Sequence, residues 1–217
     1  MLYRGECKTD FNFEEPVAMP EYIDDKKLLV LDLDETLIYA AEFGTGRQPE
    51  FRLEFTTASY NVFRRPHLDA FIDYCFENFK VAVWTASGEG YAKAMVSKIF
   101  GERAEKLEFV WTVAHCELEE VMPLCEEYIK KLDKLQTVGF QLDSTIIVDD
   151  TPLKIRYNED NLVVISPFTG NTDDTELLTL RQYLDELKNH SDIRTIEKRG
   201  WQNKYRGIRV DLPPPAR

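Results

Sequence analysis

The chain has 217 residues, 43% of them hydrophobic, with 10 Gly and 10 Pro, and this composition predicts one folded domain with an insertion or a tail. Its formal net charge of −12 argues against nucleic-acid binding, which depends on clustered Lys and Arg. The start of the chain is too polar for a secretory signal, and no apolar run approaches the roughly 20 residues that span a bilayer, so we expect a soluble intracellular protein without membrane contact, cytoplasmic or, in a eukaryote, nuclear.

The chain divides into three segments by pattern and charge. Residues 1–26 lack sustained periodicity and are predicted to be a leader ahead of a folded domain at residues 27–189. Residues 190–217 carry seven basic and three acidic side chains, a net charge of about +4, which leaves about −16 for the rest. A basic tail of this kind docks on its own domain, binds a partner or stays solvated.

Four short, continuous apolar runs predict strands that are buried on both faces of a parallel sheet. Helical patterns, with apolar residues three or four positions apart, lie between these runs. The predicted strands are residues 28–33, 81–84, 144–148 and 162–165, and the predicted helices are residues 66–76, 91–100 and 126–135. The alternation predicts an α/β fold, a three-layer, Rossmann-like parallel sheet with helices on both faces.

An alternating segment interrupts this order directly after the first strand. Phe51, Leu53 and Phe55 alternate with polar residues, and residues 60–64 indicate a returning strand, so residues of about 40–64 are predicted to form a β-hairpin insertion. An insertion there lies over the ligand site of a parallel sheet. We interpret the three apolar residues as the core of the hairpin in preference to direct substrate contacts.

Two pairs of carboxylates follow buried strands. Asp32 and Asp34 end the first predicted strand, and Asp149 and Asp150 end the third. Because the carboxyl ends of parallel strands meet at one edge, these four side chains are expected to cluster. Close carboxylates repel each other unless a cation or a shared proton intervenes. Oxygen ligands of this kind suit Mg²⁺, so the four aspartates are candidate metal ligands.

Candidate phosphate-binding groups lie near the same edge. Thr85 closes the second predicted strand, and the small residues that begin with Ala86 leave backbone N–H groups free at the start of the next helix. Phosphoryl transfer also needs a fixed positive charge. Lys130, Lys131 and Lys134, in the predicted helix before the third strand, are the candidates for it.

The sequence motifs together resemble a known superfamily. The segments DLDET at 32–36, WTAS at 84–87 and VDDTP at 148–152, with a lysine before the last, are similar to the haloacid dehalogenase superfamily of phosphotransferases. The segment RPHLDAF at 65–71 resembles the small C-terminal-domain phosphatases, also called the NLI-interacting-factor-like branch. The resemblance covers residues of about 27–187, with the motifs in order.

The resemblance implies a role for each matching residue. Asp32 would attack phosphorus and form an aspartyl-phosphate, while Asp34 would protonate the leaving group and then activate water. Thr85 and Ala86 would bind the phosphate. The family's lysine falls best on Lys130, because Tyr-Ile-Lys-x-Leu matches the pattern of that branch, and the two neighbouring lysines stay open as alternatives.

The resemblance also implies a Mg²⁺ site. The metal would be held by the Asp32 carboxylate, the Asp34 backbone carbonyl and a side chain of the last motif. Asp150 stands where the branch often has Asn, and Asp149 would contribute through water.

The expected function is therefore a magnesium-dependent phosphomonoester hydrolase. A phosphoserine or phosphothreonine protein is the favoured substrate, because a short hairpin leaves the cleft open to a peptide. A small-molecule or nucleotide-end phosphatase is the alternative and would need a larger cap. A non-catalytic scaffold is a third reading, but such relatives typically lose a carboxylate of the first motif. Residues 111–125 are longer and more acidic than in eukaryotic members and offer no arginine for a phosphopeptide.

Overall fold

A computed structural model describes residues 26–41, 48–54 and 59–205. In chain order its strands are β1 Leu28–Leu31, β2 Ile38–Ala41, β3 Phe51–Glu54, β4 Ser59–Arg64, β5 Lys80–Trp84, β6 Val110–Trp111, β7 Glu117–Met122, β8 Cys125–Ile129, β9 Thr145–Asp149 and β10 Leu162–Val164. Its α-helices are α1 Leu68–Asn78, α2 Glu89–Phe100, α3 Lys134–Thr137 and α4 Glu176–Leu187. Within the described part of the chain, no helix has the length and apolar character needed to cross a bilayer.

Five strands form a parallel central sheet in the order β10, β9, β1, β5, β6. The central strand β1 is paired on both sides, with Val30 opposite Ala82 of β5 and Ile147 of β9. All four predicted strands are present, with their ends shifted by one or two residues, and the predicted α/β fold with a parallel sheet is confirmed. β6 has only two residues, too few to give a pattern in the sequence.

Alternate residues of β1 face two different cores. Leu29 and Leu31 belong to a cluster that contains the buried faces of α1, α2 and α4, whereas Leu28 and Val30 pack with α3 and the neighbouring short turns. All four of these side chains are at most 2% exposed. Complete burial of one such side chain contributes about 1.5–3 kcal/mol, which explains why the sequence run is continuous rather than alternating.

The insertion after β1 is a three-stranded antiparallel sheet in the order β2, β4, β3. The predicted hairpin corresponds to β3 and β4. The sheet also contains β2, a strand that was not predicted and that begins two residues after the motif at 32–36. Leu53 is buried in the core and Phe51 packs against it, so both side chains act as core residues. Phe55 lies outside the described residues.

The predicted helix at residues 126–135 is wrong. Residues 125–129 form β8, which pairs with β7 in a two-stranded antiparallel sheet, and only the short α3 follows. Ile129, Leu132 and Leu135 are all fully buried at intervals of three residues. This spacing imitates a helical face although the chain runs from a strand into a turn.

Arg65, the residue after β4, joins the insertion to the loops at the edge of the main sheet. Its side chain is only 1% exposed and donates two 2.9 Å hydrogen bonds to the Asp174 carboxylate. It also donates to the carbonyl oxygens of Thr36 at 2.9 Å and Ser166 at 2.8 Å. These contacts fix the loop after β1, because a bidentate arginine restrains both distance and orientation.

The first part of the basic tail packs on the domain. Trp201 is 5% exposed and stacks on Tyr183 of α4, with ring centroids 5.1 Å apart. Its indole N–H donates to the carbonyl oxygen of Val164 at 2.7 Å, on the edge strand β10. Lys198 lies beneath and donates to three backbone carbonyls, those of Asp160, Ile193 and Ile196.

Trp201→Ala is expected to lower the free energy of unfolding by about 3–5 kcal/mol, because it leaves a cavity over α4 and frees the edge of β10. Urea denaturation monitored by circular dichroism measures this change. Trp201→Phe, which keeps a ring but loses the N–H donor, should cost clearly less. Equal stability of Trp201→Ala and the wild type would show that the tail does not belong to the folded domain.

Candidate active site

The carboxyl ends of β1, β5 and β9 meet at one edge of the sheet and carry the predicted site residues. Asp32 follows β1, is 2% exposed, and its backbone N–H donates to the Val148 carbonyl oxygen at 3.1 Å. Thr85 follows β5, and Asp149 is the last residue of β9. The structure therefore brings together residues that are more than 50 positions apart in the sequence.

Lys130 joins two of these carboxylates. Its side chain is fully buried, and its ammonium lies 2.8 Å from Asp32 Oδ1 and 2.6 Å from Asp149 Oδ2. The residue follows β8 directly, and its backbone N–H donates to the carbonyl oxygen of Lys154 at 2.7 Å. The β7–β8 hairpin and this hydrogen bond thus position Lys130 at the edge of the sheet.

The other two candidate lysines lie elsewhere. Lys131 forms ion pairs with Glu117 at 2.5 Å and Glu119 at 2.7 Å, and Lys134 forms one with Glu117 at 3.3 Å. All four of these side chains are partly exposed. Neither lysine contacts a carboxylate of the sheet edge.

The single positive charge of Lys130 faces two buried carboxylates, those of Asp32 and Asp149, so it cannot neutralise both. Burial raises the pKa of Asp32 from its ordinary 3.8 to about 7, against the lowering effect of Lys130 and together with the repulsion from Asp149. Burial alone would lower the pKa of Lys130, but the charges of Asp149 and Asp32 raise it above its usual range. The lysine therefore stays charged, and the site holds an excess of negative charge.

Asp34 is held by two hydroxyl groups from the β5–α2 side. The Ser87 hydroxyl donates to its Oδ2 at 2.9 Å, and the Tyr91 hydroxyl donates to its Oδ1. Burial and the nearby Asp34 charge raise the pKa of Tyr91 above its usual range, so the phenol keeps its proton. Sequence reasoning missed Tyr91 as a site residue, because an aromatic residue in a helix is usually part of the core.

The chain turns sharply between the two aspartates of the first motif and β2. β1 ends at Leu31, and Glu35 adopts a left-handed conformation with φ of 55°. Its carbonyl oxygen accepts a 2.6 Å hydrogen bond from the Phe168 backbone. This turn lets Asp32 and Asp34 line the same cleft although the strand does not continue through them.

Thr85 and the residues after it form a candidate anion-binding loop. The Thr85 hydroxyl oxygen accepts a 3.1 Å hydrogen bond from the Ser87 backbone N–H, and its own N–H donates to the Trp111 carbonyl oxygen at 2.9 Å. α2 begins at Glu89, and no side chain caps its N-terminus at Gly88. Free backbone N–H groups at a helix start favour an anion such as phosphate.

Three carboxylates could hold a metal ion. Asp32, Asp149 and Asp150 offer oxygen atoms that all lie within 4.8 Å of one another. Asp32 Oδ2 is buried and has no hydrogen-bond partner among the described residues, which suits an oxygen that ligates a metal. These oxygens fit a hard divalent cation. The Asp34 side chain is not in this group, and its oxygens accept hydrogen bonds from Ser87 and Tyr91.

The site opens into a shallow cleft of about 620 Å³. One wall comes from the insertion, where Ala40 and Tyr60 line the cleft, and Tyr60 packs edge-to-face on Tyr91 with centroids 5.4 Å apart. Lys154 and Glu35 also line the cleft. The lining combines a negative floor, a polar loop and an aromatic wall.

Comparison with known proteins identifies the class of protein. The chain is a haloacid dehalogenase-type phosphatase. A family model described as NLI interacting factor-like phosphatase matches residues 27–194, so the chain belongs to this family. The resemblance seen in the sequence is thereby confirmed.

Several relatives carry phosphatase names. The CTD phosphatase-like protein 355R of Invertebrate iridescent virus 3 is 33% identical over 189 aligned positions that cover 75% of this chain and 97% of that protein. CTD nuclear envelope phosphatase 1 of Xenopus tropicalis is 33% identical over 185 positions, covering 80% of this chain and 72% of that protein.

A solved structure supports the fold independently. The structure of Fcp1, described as an essential RNA polymerase II CTD phosphatase, matches with a TM-score of 0.59 at 16% identity. The match covers 76% of this chain and 62% of the Fcp1 chain, so the present chain spans less than two thirds of that structure. At this identity the likeness establishes the shared fold.

Proposed function

We propose that the chain hydrolyses phosphoserine or phosphothreonine in proteins through an aspartyl-phosphate intermediate. An Asp32 oxygen attacks phosphorus, the bond from phosphorus to the ester oxygen breaks, and that oxygen takes a proton from Asp34. Asp34 then takes a proton from water, whose oxygen attacks phosphorus and releases inorganic phosphate and Asp32. The observation that carries this proposal is the shared contact of Lys130 with Asp32 and Asp149 beneath an open cleft.

The shape of the cleft favours a protein substrate. Among the described residues, the insertion is the small sheet of β2, β3 and β4, and the cleft beside it is open to solvent. A phosphatase of small metabolites or nucleotide ends usually relies on a larger cap to exclude water. The names of the relatives, which refer to CTD phosphatases, support the same choice. A non-catalytic scaffold is disfavoured because Asp32 and Asp34 are both present.

The metal is proposed to be Mg²⁺. Asp32, Asp150 and the backbone carbonyl of Asp34 would hold it, with Asp149 contributing through water. When bound, it supplies positive charge that reduces the repulsion between the site carboxylates and the substrate phosphate. The residues of the chain do the remaining work: Thr85 and Ala86 orient the phosphate, and Lys130 holds Asp32 in place.

Removal of the metal is expected to abolish activity reversibly. Excess EDTA should stop phosphate release from a phosphoserine peptide, and added Mg²⁺ should restore it. Because a ligand that binds only the folded state stabilises it by about 2.7 kcal/mol at 100 times its Kd, Mg²⁺ should also raise the Tm. Asp150→Ala, which removes the ligand oxygen, should weaken that rise. Full activity in EDTA would contradict the proposed metal site.

The substrate class is tested with a panel of phosphoserine, phosphothreonine and phosphotyrosine peptides, nucleotides and sugar phosphates. We expect the highest kcat/KM for the first two. A preference for a metabolite would favour the small-molecule alternative. An intracellular location stays a proposal as well, supported by the free thiols of Cys75, Cys116 and Cys125.

A further inference from the structure

Lys154 is a cation of the cleft that the reaction described above does not use. It lies in a short 3₁₀ turn, Pro152–Ile155, directly after β9 and the second acidic pair. Among the described residues that line the cleft, it is the single basic side chain, because Lys130 lies below the floor. The backbone of Lys154 is fixed: its N–H donates to the Thr151 carbonyl oxygen at 3.1 Å.

The ammonium group of Lys154 has no ion-pair or hydrogen-bond partner among the described residues, although its side chain is half-buried. Lys154 lines the same cleft as the carboxylates of Asp32, Asp34 and Glu35. The ammonium therefore lies near the acidic floor without direct contact, and it is available to an anion that enters the cleft.

The position of Lys154 separates it from the phosphate-binding loop. β9 and β5 lie on opposite sides of β1, so Lys154 approaches from the β9 side, whereas Thr85 and Ala86 approach from the β5 side. A phosphate above Asp32 would have its anchors on the β5 side and below. An anionic group next to that phosphate in the substrate would meet Lys154 first. Hydrogen bonds to a charged donor of this kind are stronger than those between neutral groups.

We propose that Lys154 is a specificity-determining residue that binds a second anionic group, a carboxylate or a phosphate, next to the scissile phosphate of the substrate. This inference rests on the proposed function and narrows it to phosphoproteins with an acidic or phosphorylated residue beside the target. The other charged side chains that line the cleft are acidic and repel an anionic group of the substrate. The second anionic group must therefore lie at Lys154, which offers a positive contact on an otherwise negative surface.

The test uses three phosphoserine peptides that differ only at the residues on either side of the phosphoserine. One carries Gln, one Glu, and one a non-hydrolysable phosphonate analogue of phosphoserine, which separates the carboxylate source from the phosphate source. We expect the wild type to show a kcat/KM about tenfold higher for an anionic peptide than for the Gln peptide, and the difference should shrink at high salt.

Lys154→Gln should reduce that preference to about one, whereas Lys154→Arg should keep it. Lys98→Gln is the matched control: it removes one charge from an exposed position of α2 outside the cleft, and the preference should not change. An unchanged preference in Lys154→Gln overturns the inference. An equal fall for all three peptides also overturns it, because it would assign Lys154 to the scissile phosphate or to Asp32.

Measurements of peptide binding test the role of Lys154 independently of the proposed hydrolysis. Fluorescence anisotropy with Asp32→Asn, which cannot form the intermediate, should give a Kd about tenfold lower for the anionic peptides, and adding Lys154→Gln should remove the difference. Preferential binding without any turnover by the wild type would refute the proposed hydrolysis alone. Turnover without any preference, in rate or in binding, would refute the role of Lys154 alone.

Discussion

Asp32→Asn is expected to lower kcat for a phosphoserine peptide by roughly 10⁴-fold or more. A carboxylate that is ionised can attack phosphorus without a base, but an amide cannot replace it as a nucleophile, so no aspartyl-phosphate forms. Steady-state phosphate release and a single-turnover experiment with ³²P-labelled substrate measure the two effects. Labelled protein should appear after an acid quench of the wild type and be missing from the variant.

The same variant should be at least as stable as the wild type in EDTA. The pKa of Asp32 in the folded protein is raised from 3.8 to about 7, so the folded state holds this proton more tightly than the unfolded chain does. Ionised Asp32 therefore opposes folding, and its cost grows as the pH rises from about 4 to about 7. Asn cannot ionise and escapes that cost. A large fall in Tm at pH 8 would mean that Asp32 is a structural residue, and its loss of activity would then say little about chemistry.

Asp34→Asn separates the two aspartates. The variant keeps the nucleophile but lacks the proton donor, so hydrolysis of an alkyl phosphate should fall by about 10²–10⁴-fold. An aryl phosphate, whose leaving group needs less protonation, should suffer less in the first step. Equal losses on both substrates would argue against Asp34 as the general acid.

The sequence predicts the sheet well because of where its strands lie. A strand buried on both faces must be apolar at every position, and residues 28–31 are. Such a short, fully apolar run is typical of a central parallel strand. The same argument locates Asp32, Thr85 and Asp149, since polar residues that end such runs come together at the sheet edge. These placements needed no knowledge of long-range contacts.

The β7–β8 hairpin could not be predicted in this way because its pattern is inverted. Leu118 and Met122 are exposed at 52% and 62%, whereas Glu117 and Glu119 are partly buried in ion pairs. Apolar periodicity therefore does not mark the inner face of the strand. The support of Asp34 by Tyr91 was also hidden, because it depends on a contact across 57 positions of the chain.

Lys130→Met is expected to lower the free energy of unfolding by about 3–5 kcal/mol and to abolish activity. Removing the ammonium leaves Asp32 and Asp149 as buried like charges without compensation, which is far more costly than the loss of a surface ion pair. Nothing would then orient Asp32 for attack. Chemical denaturation and phosphate release measure the two effects on the same preparation.

The pH dependence of Lys130→Met distinguishes the charge effect from simple misfolding. In the wild type, burial raises the pKa of Asp32 and Lys130 lowers it, so in the variant only the smaller lowering effect of Lys154 opposes burial and Asp149. Its stability should therefore fall further below that of the wild type as the pH rises from 5 to 8, and the gap should narrow on acidification. Lys131→Met, at the next position, breaks only the partly exposed contacts with Glu117, Glu119 and the Tyr157 ring and should leave activity and Tm nearly unchanged. If Lys131→Met were the inactive variant, the family's lysine would have been assigned to the wrong residue. The contact of Lys130 with Asp32 and Asp149 would then no longer support the proposed mechanism.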